Sequence, residues 1–305
     1  MIRIVGDLLI PRETTLAMGK FEGLHKGHRV LLDHVIDASL KSGHASTMVF
    51  FEPHPNIVLG SPDYKPLFTS DERLNICEQF GLDFMLELPF DKKFASQSPE
   101  DFCKQLFTNH RAKEVFVGED YRFGYKRTGT VDTLKNIAKN YNAKINVTPL
   151  VTVDGIKIST SDIRELLEKT ELKKVAELLG FPFFIIGHVS HGQKLGARQG
   201  FPTINIYPPK NKFLPEKGVY ATKTYLDDNV YDGITNIGIR PTFEEHDTRL
   251  SVETHLFNFS GQIYGRDVKT EFLHFIRPEK RFTNANELRE QIARDISYVY
   301  SLPNV

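Results

Sequence analysis

The chain has 305 residues, which at about 150 residues per domain points to two domains. Hydrophobic residues make up 40% and charged residues 26%, an ordinary globular composition that excludes wholesale disorder, collagen-like repeats and coiled coil. Lys+Arg and Asp+Glu number 39 each, so the chain lacks the basic excess that favours nucleic-acid binding. In chain order, residues 1–7 give no signal-peptide core, because Gly6 and Asp7 interrupt it. Residues 14–18 are a short β-prone run ending in Gly19. Residues 33–40 lie in a helix-like stretch closed by Gly43. Residues 46–51 predict a strand stopped by Glu52-Pro53-His54-Pro55. A helix over 71–80 ends at Gly81, and a strand follows over 83–88. Residues 99–107 predict a helix with Pro in its first turn. Then come a strand over 114–117, a glycine-bearing loop, a helix over 131–140 and an extended run over 144–149. This alternation predicts an α/β domain with a mainly parallel sheet.

Two consecutive helices are expected over 161–170 and 171–179, punctuated by Gly180-Phe181-Pro182. The pattern then changes. Strand-like runs recur over 184–189, 203–207, 219–225, 231–237, 251–257 and 268–276, and one helix closes the chain over 285–300. Short strands with turn residues between them predict a small β-barrel or sandwich. The boundary is placed near residue 182, giving domains 1–182 and 183–305. The longest apolar stretch, 181–186, is far short of the roughly 18 residues of a membrane helix. Cys77 and Cys103 show no CxxC spacing, which argues against a disulfide framework or a zinc ribbon. A soluble cytoplasmic protein is expected, with no nucleic-acid or membrane partner. Oligomeric state is not legible.

The sharpest local feature is Gly19-Lys20-Phe21-Glu22-Gly23-Leu24-His25-Lys26-Gly27-His28, which follows the first strand and opens the first long helix. In open α/β sheets ligands bind beyond the carboxyl ends of the strands. A helix start adds free N–H groups and partial positive charge that suit phosphate. Gly19, Gly23 and Gly27 allow close backbone approach. His25 and His28 share a face in the first helical turn, where two imidazoles suit a polyphosphate and a departing pyrophosphate. Zinc lacks a third ligand at a familiar spacing. The alternative reading is a glycine-rich turn with two solvated histidines.

These residues resemble the FDGxHxGH signature of the prokaryotic bifunctional riboflavin kinase/FAD synthetase family, with Glu22 in place of the usual Asp. Phe51-Glu52-Pro53-His54-Pro55 resembles that family's F-x-P-H-P turn. Residues Val117 to Gly124 resemble its VGxDFRFG loop, and Ile158 to Arg164 its ISSTxIR motif. Asp120 would meet a nucleotide or Mg²⁺. Tyr121 and Phe123 would line a ring pocket, or alternatively belong to ordinary core. Ser159 with Asp162 has helix-cap spacing, and Arg164, one turn in, suits a bidentate phosphate contact. The resemblance implies transfer of AMP from ATP to FMN. His25 and His28 would hold the triphosphate, Ser161 and Arg164 the leaving phosphates, and Mg²⁺ would bridge. Gly19, Phe21, Gly23 and Asp120 are the further cofactor-binding positions.

In the second half, Thr203 and Asn205 lie two apart on an expected strand and point to one face. A hydroxyl and an amide oxygen there suit a hard cation, though such a pair also reads as the wet side of a strand. The segment Gly200-Phe201-Pro202-Thr203-Ile204-Asn205 resembles the GFPTAN motif of riboflavin kinases. Gly218 to Ala221, Asn236 to Phe243 and Ser251 to His255 resemble their GVYA, NxGxRPTF and VExH segments. The resemblance implies phosphorylation of riboflavin by ATP, with Glu253 as catalytic base. Thr203 and Asn205 would hold Mg²⁺, and Gly200 and Asn236 would contact cofactor. One departure stands out: Gly196-Ala197-Arg198-Gln199-Gly200 carries its arginine one place away from the family's phosphate loop. Thr130 also stands where relatives often carry Asp. The expected protein is bifunctional, taking riboflavin to FMN and FMN to FAD. A monofunctional adenylyltransferase with a degenerate kinase domain, and a non-catalytic flavin- or RNA-binding regulator, are the alternatives.

Overall fold

The computed structural model describes residues 1–6, 10–149, 152, 153, 156–190, 201–240 and 249–303. Its contacts divide the chain into two compact units, Met1–Thr160 and Ser161–Val305. This division lies before the two helices that the sequence boundary near 182 assigns to the first domain.

The first unit runs β1 (Ile2–Val5), β2 (Thr14–Met18), α1 (Lys26–Ser42), β3 (Ala45–Glu52), α2 (Pro55–Val58), α3 (Ser70–Phe80) and β4 (Phe84–Pro89). It continues through α4 (Lys92–Ala95), α5 (Pro99–Lys104), β5 (Ala112–Gly118), α6 (Val131–Ala138), β6 (Lys144–Thr148) and a hairpin of β7 (Thr152–Val153) and β8 (Ile156–Lys157). Six strands pair in the order β1-β4-β3-β2-β5-β6, every pair parallel. From β2 the chain moves outward through β3 and β4, then returns to the other side of β2 for β5 and β6. Met18 is level with both Val49 and Val117. The loops after β2, β3 and β5 therefore leave the same edge, where the winding reverses and ligands bind in such sheets.

Sequence explains these elements locally. All five residues of β2 are buried, as a central parallel strand covered on both faces requires. Leu16, Met18, Val49, Leu86, Val115 and Val117 join Phe102, Leu106 and Leu134 in one core. Gly43 ends α1 at φ 72°, a left-handed cap. Thr69 opens α3 with a capping box: Glu72 N–H donates to its hydroxyl, and its own N–H donates to the Glu72 carboxylate at 2.7 Å. The helix predicted over 99–107 is α-helical to Lys104 and continues as a π-helical turn, Gln105–Asn109, that buries Leu106 and Phe107. Strand β1, which the sequence reading did not predict, lies at the sheet edge with only Ile4 of its four residues buried.

The second unit carries α7 (Thr160–Glu168) and α8 (Leu172–Leu179), then β9 (Phe184–Ser190), β10 (Ile204–Ile206), β11 (Gly218–Leu226), β12 (Asn229–Arg240), β13 (Arg249–Leu256), β14 (Asp267–Arg277) and α9 (Ala285–Ser301). The six strands close into an antiparallel barrel in the order β10-β13-β12-β11-β14-β9. Alternation sets two faces. Tyr220, Thr222, Thr235, Ile237, Val252 and Thr254, all buried, fill the interior. On the outer face Val219, Ala221 and Ile234 pack with Val299, Ile292 and Ile296 of α9. The buried hydroxyls satisfy one another: Thr235 sits 2.8 Å from both Thr222 and Thr254.

Candidate functional site

The loop after β2 folds back on itself before α1 begins. Phe21 and Leu24 take positive φ, 39° and 45°, and both side chains are fully buried. A Cβ on Gly19 would lie 3.2 Å from the Phe21 ring, so this glycine makes room for Phe21. Phe21 in turn packs 5.1 Å from the His28 ring. His25 is the N-cap of α1, and its carbonyl accepts from the N–H groups of His28 and Arg29 at 2.8 and 3.0 Å. That turn stacks the His25 and His28 rings with centroids 3.9 Å apart and planes 21° apart. Burial, with the neighbouring His25 second, holds His28 well below the usual histidine value of 6.5. Nδ1 of His28 is buried and makes no hydrogen bond.

Two of the segments that resemble motifs, the loop after β2 and the turn after β3, meet at a residue the sequence noted only as a departure. Glu22 is buried; its Oε1 accepts from Leu67 N–H at 3.4 Å and its Oε2 from the Tyr64 hydroxyl. His54, from the turn after β3, brings Nε2 to 3.8 Å from Glu22 Oε2 and stacks on Tyr64 at 4.6 Å between centroids. The same turn is anchored through Glu52, which accepts from buried Arg73 at 2.6 Å and from Ser70 at 3.2 Å. Arg73 also lies over the Phe50 ring at 4.4 Å. No local pattern marks Tyr64, which lies in a loop between two helices. Arg73 was hidden because it sits in an ordinary charged helix.

After β5, Asp120 is exposed, with Oδ1 3.3 Å from where a Cβ on Gly118 would stand. Phe123 belongs to the buried core and Tyr121 packs against it, rings 5.7 Å apart, so of the two readings the core one describes them. Burial pushes the Tyr121 hydroxyl up, and it pushes the Cys77 and Cys103 thiols up to about 12. Thr130 caps α6 by accepting from Thr133 N–H at 3.1 Å, a role Asp also fills. Ser161 and Arg164 lie on α7 in the second unit; the Arg164 guanidinium sits over the Phe213 ring at 4.7 Å.

In the barrel, strand register assembles residues far apart in the chain. Asn205 pairs with Glu253 across β10 and β13, and Asn236 pairs with Glu253 across β12 and β13. Opposed residues of an antiparallel ladder share a face with Cβ atoms about 4.5–5.5 Å apart. Asn205, Glu253 and Asn236 thus form one polar row on the outer face of the barrel. Thr203 precedes β10 by one residue, and its carbonyl accepts weakly from Asn205 Nδ2 at 3.5 Å. Ser251 donates to Glu253 at 3.4 Å, and His255 Nδ1 lies 2.9 Å from the Pro202 carbonyl oxygen. Asn236 Nδ2 donates to Glu279 at 3.3 Å, a carboxylate that motif reading missed because it follows β14. Gly200, Arg198 and residues 241–243 lie outside the described residues.

Comparison with known proteins gives two family models in series. FAD synthetase matches residues 9–162 and riboflavin kinase matches residues 179–302. A curated relative from Buchnera aphidicola subsp. Schizaphis graminum, a bifunctional riboflavin kinase/FMN adenylyltransferase, is 35% identical over 95% of this chain and 94% of its own length. Proteins of the same name from Bacillus subtilis and Escherichia coli are 34% and 36% identical over 93% and 92% of this chain, in each case 90% of their own length. A crystal structure from Streptococcus pneumoniae, named a macrolide-efflux protein, matches with TM-score 0.86 and 27% identity over 99% of this chain and 100% of that one.

Proposed function

The chain belongs to the family of bifunctional riboflavin kinase/FMN adenylyltransferases, and from that premise we propose how its residues divide the two activities. It phosphorylates riboflavin to FMN and adenylylates FMN to FAD. The pneumococcal protein's name points to efflux, but both family models and the curated relatives point to flavin synthesis. Among the described residues no helix is long and apolar enough to cross a membrane.

We assign adenylyl transfer to residues 1–182 and the kinase to residues 183–305. The observation that carries the first assignment is the stacked His25–His28 pair at the edge where β2 and β5 end. The FMN phosphate oxygen attacks the α-phosphorus of ATP in line, the bond to the bridging oxygen breaks, and pyrophosphate leaves. No protein nucleophile is needed; the protein positions the reactants and offsets charge. A phosphate oxygen would satisfy the buried Nδ1 of His28 that makes no hydrogen bond. Gly19 and Phe21 shape the loop, Gly23 lies within it, and Asp120 follows β5, the strand paired with β2. Ser161 and Arg164 on α7 are assigned to nucleotide phosphate by the resemblance of their segment to the family motif alone.

In the kinase, Glu253 takes the proton of the riboflavin 5′-hydroxyl as its oxygen attacks the γ-phosphorus and ADP leaves. Asn236 and Gly200 are assigned to ligand contact. The Thr203 hydroxyl and the Asn205 amide oxygen fit Mg²⁺, a hard cation that takes few protein ligands and completes its shell with phosphate and water. When bound, the cation would neutralise charge on the transferring phosphoryl group.

The test is product analysis by chromatography after incubating the purified chain with riboflavin, ATP and Mg²⁺. Both FMN and FAD are expected. FMN without FAD overturns the first assignment; no product from riboflavin, with FAD still formed from supplied FMN, overturns the second.

A further inference from the structure

The buried Glu22 is longer than the Asp of the signature it resembles, and the structure gives the extra length a use. Its Oε2 accepts from the Tyr64 hydroxyl, and its Oε1 accepts from Leu67 N–H at 3.4 Å. His54 Nδ1 accepts from Asn56 N–H at 3.2 Å, which leaves the ring proton on Nε2. That nitrogen faces Glu22 Oε2 at 3.8 Å, and the Tyr64 ring covers one face of the imidazole at 4.6 Å. The side chains of both Glu22 and His54 are only 5% exposed, so water screens the cluster little. Three segments thus converge: the loop that carries His25 and His28, the turn after β3, and the stretch between α2 and α3.

We propose that Tyr64 and Glu22 are a matched positioning pair for adenylyl transfer. Tyr64 fixes the Glu22 carboxylate, which then presents its charge 3.8 Å from His54 Nε2, while the Asn56 N–H sets the His54 tautomer and the Tyr64 ring its plane. Together they hold the loop of the histidine pair against the turn after β3. An Asp at position 22 is shorter by one methylene and does not span to Tyr64 with the same backbone. Neither residue is placed in contact with the reacting atoms. This inference rests on the assignment of adenylyl transfer to the histidine loop.

The experiment measures FAD formation from supplied FMN and ATP in the full chain, with FMN formation from riboflavin as an internal control. The variants are Tyr64→Phe, Glu22→Asp and the double variant, with His28→Ala alongside. Tyr64→Phe keeps the ring that covers His54 and removes only the hydroxyl. Loss of one buried, charge-assisted hydrogen bond should lower kcat for adenylyl transfer about tenfold, with KM for ATP within about twofold. Glu22→Asp should do the same. The double variant should be no worse than the poorer single one, since both remove the same link. Kinase turnover should stay unchanged in all three, which a general loss of folding would not allow. Unaltered kcat in a folded Tyr64→Phe protein overturns the proposal, as do additive losses in the double variant. If the first unit of Tyr64→Phe does not fold, seen by denaturant unfolding followed at that unit, Glu22→Asp decides alone: full adenylyl transfer overturns the pairing. His28→Ala separates the two levels. If it leaves adenylyl transfer intact, the site assignment fails; if it abolishes transfer while Tyr64→Phe is silent, only the positioning pair fails.

Discussion

His25 and His28 lie face to face, ring centroids 3.9 Å apart, because the His25 carbonyl accepts the first N–H bonds of α1. Burial penalises the charge of His28, and the neighbouring His25 opposes it further, so its value falls well below 6.5. The folded chain therefore binds fewer protons than the unfolded chain in the window from that depressed value up to about 6.5. Stability rises with pH across this window and is fully present above it. The slope from one such group reaches at most about 1.4 kcal/mol per pH unit. Replacing His28 with Gln should flatten the acid limb of denaturant-measured stability. An unchanged limb would show that His28 does not titrate differently in the two states. Bound triphosphate favours the imidazolium, so ATP affinity of the wild-type chain should increase as pH falls toward 6, and that gain should vanish in the Gln variant.

The row of Asn205, Glu253 and Asn236 places one carboxylate between two amides. In the proposed role of proton acceptor, Glu253 would contribute about 10²–10⁴-fold, the usual range of general-base catalysis. Glu253→Gln keeps shape and removes the base. FMN formation from riboflavin should drop by about that factor, while FAD formation from supplied FMN stays within about twofold. Loss of both activities together would mean that the two sites are not separable.

The residues of this row were singled out by motif resemblance, and strand register then sets them side by side. Thr203 and Asn205 fall two apart, a spacing that by itself reads equally as the wet side of a strand, and Glu253 stood out only because its segment resembles the VExH strand of riboflavin kinases. What no local pattern discloses is which strands become neighbours. Pairing β13 between β10 and β12 is a product of barrel closure. The parallel sheet was readable, since its central strands are short apolar runs between glycine-terminated helices. Glu22 illustrates the limit. A carboxylate in a glycine-rich loop looks solvated, and its burial depends on Tyr64 and Leu67 arriving from a turn-rich stretch more than 40 residues away. The edge strand β1 went unread although Ile2, Ile4 and Val5 are β-prone, because residues 1–7 were weighed only as a signal-peptide core.

Gly238 gives a sharper test of the row's surroundings. A methyl there would stand 2.2 Å from Glu279 Oε1 and 2.9 Å from Asn236 Nδ2. The carboxylate is the far end of a flexible, exposed side chain, so it swings away at little cost. Gly238→Ala should change stability by about 1 kcal/mol or less. Asn236 then loses its acceptor, and KM in the kinase reaction should rise about tenfold. Glu279→Ala should give the same rise, and the combination should add little. Strict additivity would show that the glycine acts on something other than the Asn236–Glu279 contact.

Arg73 carries the stability of the turn after β3. Its side chain is 1% exposed, donates to Glu52 at 2.6 Å and lies over Phe50 at 4.4 Å. Burial alone lowers its affinity for the proton, and Glu52 is the first of the carboxylates that oppose this. Glu52 remains 35% exposed, so on loss of Arg73 water takes over part of its solvation. Removing one partner of a buried pair costs about 3–5 kcal/mol, and that partial exposure puts Arg73→Ala at the lower end, about 3 kcal/mol. Arg73→Lys keeps the charge but loses the planar stack on Phe50 and should fall between the two. Denaturant unfolding followed at the first unit measures this directly. A midpoint for Arg73→Ala equal to wild type would mean that the ion pair does not hold the turn. In that event adenylyl transfer should be unaffected as well, because the turn reaches Glu22 through His54.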